Sequence, residues 1–279
     1  MFASRSVATT MKEHTRNENC MYFSGASTIG GTEDFLTTSS CNATATDSTY
    51  CIWWKSGLAG SAQGAVFGHG GASGADSYAG VLDIHTQISV KFRMDGGTPD
   101  RDVEWGGGDD PSTLNLAKDN IWHHWAFVID VSDMTACKCY VDGVLKTVLR
   151  SDNDGDTDTW SSLVIGVSSI SATTRSEFRG WISDFAVYEK LLTASDVKMI
   201  YNEGNPYNHR EQSSNGRRLL TNFLKGWWQM GDGSERIANT GRFSGKVEDM
   251  SGNGKIATAT NFTVSPFQMV TSGLNTYGQ

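Results

Sequence analysis

The 279-residue chain carries 31 acidic and 23 basic side chains, and its net charge of -8 is spread along the sequence. Phosphate backbones and anionic lipids are bound by basic stripes, which this sequence lacks, so we expect neither nucleic acid nor a membrane as a partner. The first residues hold no apolar segment of signal-peptide length, and no apolar run is long enough to span a bilayer. The sequence therefore predicts no secretion signal and no membrane insertion.

The composition is typical of many short strands joined by polar turns. The chain has 31 glycines but 4 prolines, and Ser, Thr, Asn and Asp are scattered throughout. Its apolar fraction of 38% and aromatic fraction of 10% are enough for one large core. The 5 cysteines are an odd number, so a complete disulfide framework within the chain is impossible and we expect reduced thiols.

Strict alternation of apolar and polar residues marks the clearest strand, at residues 82–94. This period of two indicates a half-buried strand, and its length predicts a reversal or bulge near Thr86 and Gln87. Further strands are predicted at residues 50–55, 65–68, 163–167 and 178–188. Two more are predicted late in the chain, at residues 226–232 and 255–264.

A second hairpin can be predicted with its register. Residues 122–130 and 136–141 are strand-like around a polar loop, and Asp142-Gly143 is a turn signal before a further short strand. If paired residue numbers sum to about 266, Cys137 lies opposite Ile129 and Cys139 opposite Phe127. Both sulfurs then share an apolar face that His123 and His124 do not reach. The pattern favours buried free thiols over a zinc site.

One short helix is predicted after residue 193. Thr193 and Asp196 form a capping-box pattern, apolar residues follow at helical spacing, and Gly204 and Pro206 end the helix. Around it the chain divides into an N-terminal arm (1–18), a sandwich (19–206) and a C-terminal extension (207–279).

Several segments, read in order, resemble the laminin-G-like, or concanavalin A-like, jelly roll. They are MYFSG (21–25), CIWWK (51–55), NIWHHWAFV (120–128), YVDG (140–143), FRGWISD (178–184) and the short helix that follows. The resemblance implies an all-β fold, a two-sheet antiparallel sandwich with one short helix.

The C-terminal extension contains elements that many members of this family carry before the opening strand. They are WWQMGD (227–232) and DMSGNGK (249–255), which here come last. The extension is either a permuted part of the same sandwich or the start of a neighbouring subunit's sandwich. In both cases its apolar side chains need a partner surface, and we expect docking through Trp227, Trp228, Met230 and Phe262.

Domains with these two elements and no secretion signal resemble structural proteins of tailed phages, particularly marine ones. The resemblance implies a virion surface protein made in the host cytoplasm, a capsid decoration or a head or tail appendage. Its partners would be copies of itself, other virion proteins and cell-surface glycans. The alternative is a calcium-dependent carbohydrate-binding module that acts outside a virion.

Catalysis is not expected, because the E-x-D-x-x-E strand motif of the related glucanases is absent from the sequence, as are common hydrolase and nucleotide-binding motifs. No cofactor is required. The acidic turn with Asp152, Asp154, Asp156 and Asp158 offers oxygen ligands for Ca²⁺, and a solvated turn is the alternative. A lone Trp in a Gly/Asp-rich stretch makes Trp105, with Asp109, a candidate contact for a ligand or partner.

Overall fold

Two antiparallel sheets face each other across a core of aromatic and aliphatic side chains. The computed structural model describes residues 20–24, 34–39, 41, 46–56, 64–71, 76–84, 87–94, 101–106, 111–154, 160–168, 177–205, 207–210, 220–230 and 245–262. In these residues the predicted all-β sandwich is confirmed.

The described residues form sixteen strands and two α-helices. In chain order they are β1 (Met21–Phe23), β2 (Phe35–Ser39), β3 (Ser48–Ser56), β4 (Gly64–Gly71), β5 (Asp76–Ile84), β6 (Gln87–Met94), β7 (Arg101–Gly106), α1 (Pro111–Leu116), β8 (His123–Ile129), β9 (Lys138–Val141), β10 (Val144–Leu145), β11 (Arg150–Asp152), β12 (Trp160–Ile165), β13 (Gly180–Tyr188), α2 (Ala194–Tyr201), β14 (Leu224–Trp228), β15 (Lys246–Val247) and β16 (Ala257–Thr260).

The strands are divided between a seven-stranded and a nine-stranded sheet. The seven-stranded sheet has the order β1-β13-β3-β8-β9-β10, and β14 also pairs with β13. The nine-stranded sheet has the order β11-β7-β6-β5-β4-β12-β2-β16-β15. Because neighbouring strands in space are often distant in sequence, the sandwich can form only through long-range pairing.

Both predicted hairpins are confirmed. The long alternating segment splits into β5 and β6, with Ile84 paired to Gln87 across the reversal. In the other hairpin Phe127 pairs with Cys139, as the predicted register requires. The turn to β10 uses Asp142 at φ 52° and Gly143 at φ 74°, the left-handed pair of a type I′ turn.

The start of β9 differs from the prediction. Residues Met134–Ala136 form a single 3₁₀ turn, because the Asp133 side chain accepts a hydrogen bond from the backbone N–H of Thr135. The strand therefore begins at Lys138 rather than at residue 136.

The predicted helix is α2, and its capping box of Thr193 and Asp196 is present in both directions. The helix ends earlier than predicted, because Asn202 rather than Gly204 adopts the left-handed cap at φ 49°.

Helix α1 was not predicted. It packs against the end of β7, where a Cβ on Gly106 would lie 2.8 Å from the Thr113 Cβ, so the close approach requires glycine.

The core between the sheets is dominated by stacked rings. Trp54 and Trp125, from adjacent strands of the seven-stranded sheet, stack at 4.3 Å between centroids. Tyr50 stacks on Phe67 of the opposite sheet at 4.7 Å. Each such side chain is fully buried and contributes roughly 1.5–3 kcal/mol of hydrophobic free energy.

The C-terminal extension packs on the sandwich of its own chain. Strand β14 pairs with β13, with Trp228 opposite Phe185, and β16 pairs with β2 in the other sheet. Strand β1 pairs with the same edge of β13, with Met21 opposite Ile182. Since β1 and β14 are both antiparallel to β13, they run in one direction, and β14 ends just before β1 begins.

We expect Trp228→Ala to lower the free energy of unfolding by about 3–5 kcal/mol, because a fully buried indole that stacks on Phe185 is replaced by a cavity. Ile256→Ala is the matched control in the same extension, since Ile256 is 40% exposed and should cost less than about 1 kcal/mol. Urea unfolding followed by fluorescence measures both. Equal, small losses would show that the extension unfolds independently of the sandwich.

Candidate functional site

The outer face of the nine-stranded sheet carries a set of charged side chains on β6 and β7. Val90 and Phe92 of β6 lie in the core, so Lys91 between them points away from it. Its ammonium group lies 3.0 Å from Glu104 Oε1 and 3.4 Å from Asp102 Oδ2. Both carboxylates therefore form ion pairs with the same ammonium group.

Strand register extends this set across a third strand. Arg150 of β11 lies opposite Glu104, and Asp152 lies opposite Asp102, while Arg93 of β6 pairs with Asp102 from the other side. Opposite residues share one face of an antiparallel sheet. We call this set the charged ladder, and it consists of Lys91, Arg93, Asp102, Glu104, Arg150 and Asp152.

The ladder is buried at Lys91 and Asp102 and accessible to solvent at Arg150 and Asp152. The Lys91 and Asp102 side chains are almost completely buried, whereas the side chain of Arg150 is 59% exposed and that of Asp152 is 28% exposed. Buried ion pairs restrain the strands, and the exposed groups can exchange hydrogen bonds with a polar ligand. The alternation of RDVEW at residues 101–105 was the available sequence signal, but the pairing with β6 and β11 could not be read from it.

The prediction that Trp105 contacts a ligand or partner is wrong. Trp105 does not stand in a loop, because β7 includes it and the glycine run begins only at the end of that strand. Val103 and Trp105 point into the core, where the indole is fully buried and lies 5.6 Å from the ring of Phe127. It therefore cannot contact a ligand at the surface. Asp109 lies outside the described residues.

The acidic turn is described only at its start. Asp152 ends β11, lies 3.7 Å from Arg150, and accepts a hydrogen bond from the backbone N–H of Asp154. Asp154 is exposed. Asp156 and Asp158 lie outside the described residues, so Ca²⁺ binding at this turn stays a prediction.

Hydrogen bonds connect the His123-His124 and Asp142-Gly143 elements of the second hairpin. His123 donates from Nδ1 to Asp142 at 2.6 Å and from Nε2 to Asp119 at 3.0 Å. Asp142 also accepts the backbone N–H of His124 at 2.9 Å. Burial lowers the pKa of His123, but hydrogen bonds and charge from the two carboxylates outweigh it and raise the pKa to about 9. The imidazolium is thus a structural cation.

The two cysteines of this hairpin are buried, as the register predicted. Cys139 is fully buried beside Phe127, and Cys137 accepts a hydrogen bond from the backbone N–H of Asp130 at 3.2 Å. Burial raises the pKa of the Cys137 thiol to about 12. That neither thiol binds a metal stays a prediction.

One of the residues predicted to dock the extension contacts a buried polar cluster of Asp184, His209 and Tyr188, which the sequence did not indicate. The Trp227 indole donates to Asp184 at 2.6 Å, and His209 bridges Asp184 and the Tyr188 hydroxyl. Trp228 and Met230 are buried in the main core. Phe262 packs at its margin, 5.5 Å from the ring of Phe23.

The laminin-G family model described as the concanavalin A-like lectin/glucanases superfamily matches residues 30–198, more than half of the chain. The chain therefore belongs to this superfamily. No curated protein sequence matches it.

Similar solved structures include a proposed carbohydrate-binding protein from Bacteroides ovatus, with 14% identity and a TM-score of 0.53. That match covers 86% of this chain and 57% of the Bacteroides protein, so this chain spans less than two thirds of that protein. A tailspike domain of bacteriophage CBA120 matches with 14% identity and a TM-score of 0.49, over 77% of this chain and 32% of the tailspike. A heptameric pentraxin from Limulus polyphemus matches with 15% identity and a TM-score of 0.46, over 66% of this chain and 83% of the pentraxin.

Within the ranges that the structure describes, neither helix is long and apolar enough to cross a membrane.

The raised pKa of His123 predicts a pH-dependent contribution to stability. A group whose pKa is higher in the folded chain stabilises fully below its ordinary value of 6.5, and this contribution is lost as the pH rises through about 9. The difference in unfolding free energy between the wild type and His123→Asn should therefore shrink by about 2 kcal/mol between pH 6 and pH 9.5. Urea unfolding at both pH values measures it, and a difference independent of pH would contradict the assignment.

Proposed function

We propose that this chain is a non-catalytic, lectin-type module of a virion surface, a capsid decoration or a head or tail appendage, and that it recognises host glycans. The charged ladder is the observation that carries the recognition. The exposed Arg150 guanidinium and the partly exposed Asp152 carboxylate lie 3.7 Å apart, an arrangement that suits the paired hydroxyls of a sugar ring. Charge-assisted hydrogen bonds of this kind give both strength and orientation.

The pairing within the ladder supports binding rather than hydrolysis. A glycoside hydrolase uses one carboxyl group as the acid and a second as the nucleophile or base on either side of the scissile bond. Asp102 and Glu104 instead both contact the Lys91 ammonium. Asp102 is also almost completely buried, so a sugar in contact with the sheet would meet Glu104 and Arg150 first.

The C-terminal extension supports the virion part of the proposal. Its two sequence elements resemble those of structural proteins from tailed phages, and the extension adds a strand beside each of two sheet edges. Edge pairing of this kind is a common way to join protein chains through backbone hydrogen bonds. A surface component of a particle needs such an attachment as well as an exposed recognition face.

We expect a glycan array probed with the purified protein to give binding that Arg150→Ala weakens at least about tenfold, as loss of one charge-assisted contact should. The melting temperature should not change, because this side chain is largely exposed. Arg179→Ala is the matched control, since Arg179 is also exposed but precedes a strand of the other sheet. Equal binding by both variants would remove the ladder as the recognition site.

The same array separates the alternative, a calcium-dependent carbohydrate-binding module outside a virion. Asp152 belongs both to the ladder and to the acidic turn, which is the observation that favours this candidate. Binding that EDTA abolishes and millimolar Ca²⁺ restores would support it. Binding indifferent to EDTA supports the proposal.

Particles of the phage that encodes the chain provide the test of location. We expect quantitative mass spectrometry of gradient-purified virions to find the chain in a fixed ratio to the major capsid protein, as a stoichiometric component requires. Mild protease should degrade it before the capsid protein, because it lies outside the shell. Its absence from virions would contradict the virion part of the proposal and leave the glycan result unaffected.

A further inference from the structure

The described part of the C-terminal extension, residues 220–230 and 245–262, is internally organised. The Asp249 carboxylate accepts backbone hydrogen bonds from Trp227, Ser251 and Lys255 at 2.9–3.0 Å. In return the Trp228 indole donates to the backbone carbonyl of Lys255 at 2.8 Å. Strand β14 and the D-x-S-G-N-G loop therefore stabilise each other. We call residues 220–230 and 245–262 the tail.

The strands of the tail pair only at sheet edges, while its side chains Trp228 and Met230 lie in the main core. β14 pairs with one edge of β13, while β16 pairs with β2 and carries β15 outside it. The pairings among β1 to β13 do not involve a tail strand. The tail can therefore leave or dock as one piece without the rearrangement of any other described strand pair.

The site that receives the tail is specific as well as apolar. Asp184 lies at an irregularity of β13 with φ 55°, and it accepts the Trp227 indole hydrogen bond in a buried position. Around it, Trp227 and Leu224 pack against Ala186 and Tyr188 on the outer face of the seven-stranded sheet. A tail that docks here places its Trp227 indole against the Asp184 carboxylate.

The tail fills the place of a segment that would precede β1 in the chain. Trp228 pairs with Phe185 and Met21 pairs with Ile182, so β14 leads directly into β1 along one edge. Phe262 then packs against Phe23. In this chain the tail instead follows the sandwich in sequence, and the residues between Asn205 and Leu220 connect the two. The same docking contacts are available to the tail of any other copy.

We propose that the tail is exchanged between copies, so that each chain completes the β13 and β2 edges of its neighbour in a head-to-tail assembly. Because the contacts are identical within and between chains, the balance is set by concentration and by the entropy of the connecting residues. A particle surface that holds many copies side by side favours the exchanged form. This inference does not depend on glycan binding.

Cross-linking between chains that each carry one introduced cysteine tests the exchange directly. Glu189 and Lys225 form an ion pair across the β13–β14 edge, and both side chains are partly exposed. Full-length Glu189→Cys and Lys225→Cys chains are mixed, refolded together at about 1 µM or about 1 mM, and treated with a short bis-maleimide. Bridging between these two positions can then occur only between chains. Wild-type chains treated in the same way measure any bridging by the five native cysteines, of which Cys41 is only partly buried.

We expect cross-linked mixed dimers to increase at least about tenfold from the lower to the higher concentration. The chain with both substitutions is the geometric control, and it should bridge within itself at the lower concentration. A control that bridges while the mixture does not would overturn the exchange. Sedimentation of the wild type that shows only monomer at the higher concentration would also overturn it.

A matched pair of variants locates the exchange at the Asp184 site. When the chains are folded separately before mixing, Trp227→Phe removes the indole donor to Asp184 and should speed the formation of mixed dimers several-fold, because the tail undocks more easily. Trp181→Phe is the control, because Trp181 lies in the same strand as Asp184 and its indole nitrogen has no hydrogen-bond partner in the described structure. Equal rates for the two variants would show that docking does not depend on this contact.

Discussion

The stacking of aromatic rings between the two sheets is the interaction on which the rest of the structure depends. Tyr50 of β3 stacks on Phe67 and Phe92 of the opposite sheet, and Phe127 of β8 meets Phe67 edge-on. Trp54 stacks on Phe127 within its own sheet, so one layer of rings holds both sheets. A sheet with one buried face fixes the direction of every side chain along its strands. This packing therefore decides which side chains of the strands point to the outer faces.

The two outer faces are used differently. On the seven-stranded sheet a second apolar cluster covers the strands, and it includes Val197 and Ile200 of α2 together with Trp227 of the tail. The nine-stranded sheet carries a small apolar cluster around Phe35 and, on β6, β7 and β11, the charged ladder. One outer face is thus covered by the chain's own helix and tail, while the other carries charged groups, which is why we propose the ladder as the recognition site.

Two buried polar groups fix parts of the fold that apolar packing leaves free. His123 and Asp142 hold the left-handed turn between β9 and β10, since a paired imidazolium and carboxylate satisfy groups that burial alone would penalise. Asp184 does the same for the tail through Trp227. Because non-directional burial tolerates several registers, such hydrogen bonds select one of them.

The sequence by itself determined the features that depend on local order. The alternation of residues 82–94, the register of Phe127 with Cys139, and the capping box of Thr193 were readable because each lies within one hairpin or one helical turn. Trp105 was misassigned, because a glycine-rich context resembles a loop until the pairing of β7 shows which face its alternation buries. The charged ladder and the place of the tail were decided by tertiary structure alone. The ladder joins β7 to β11 and the tail joins β16 to β2, strands that are far apart in the chain, and long-range pairing is set by the whole core rather than by any local pattern.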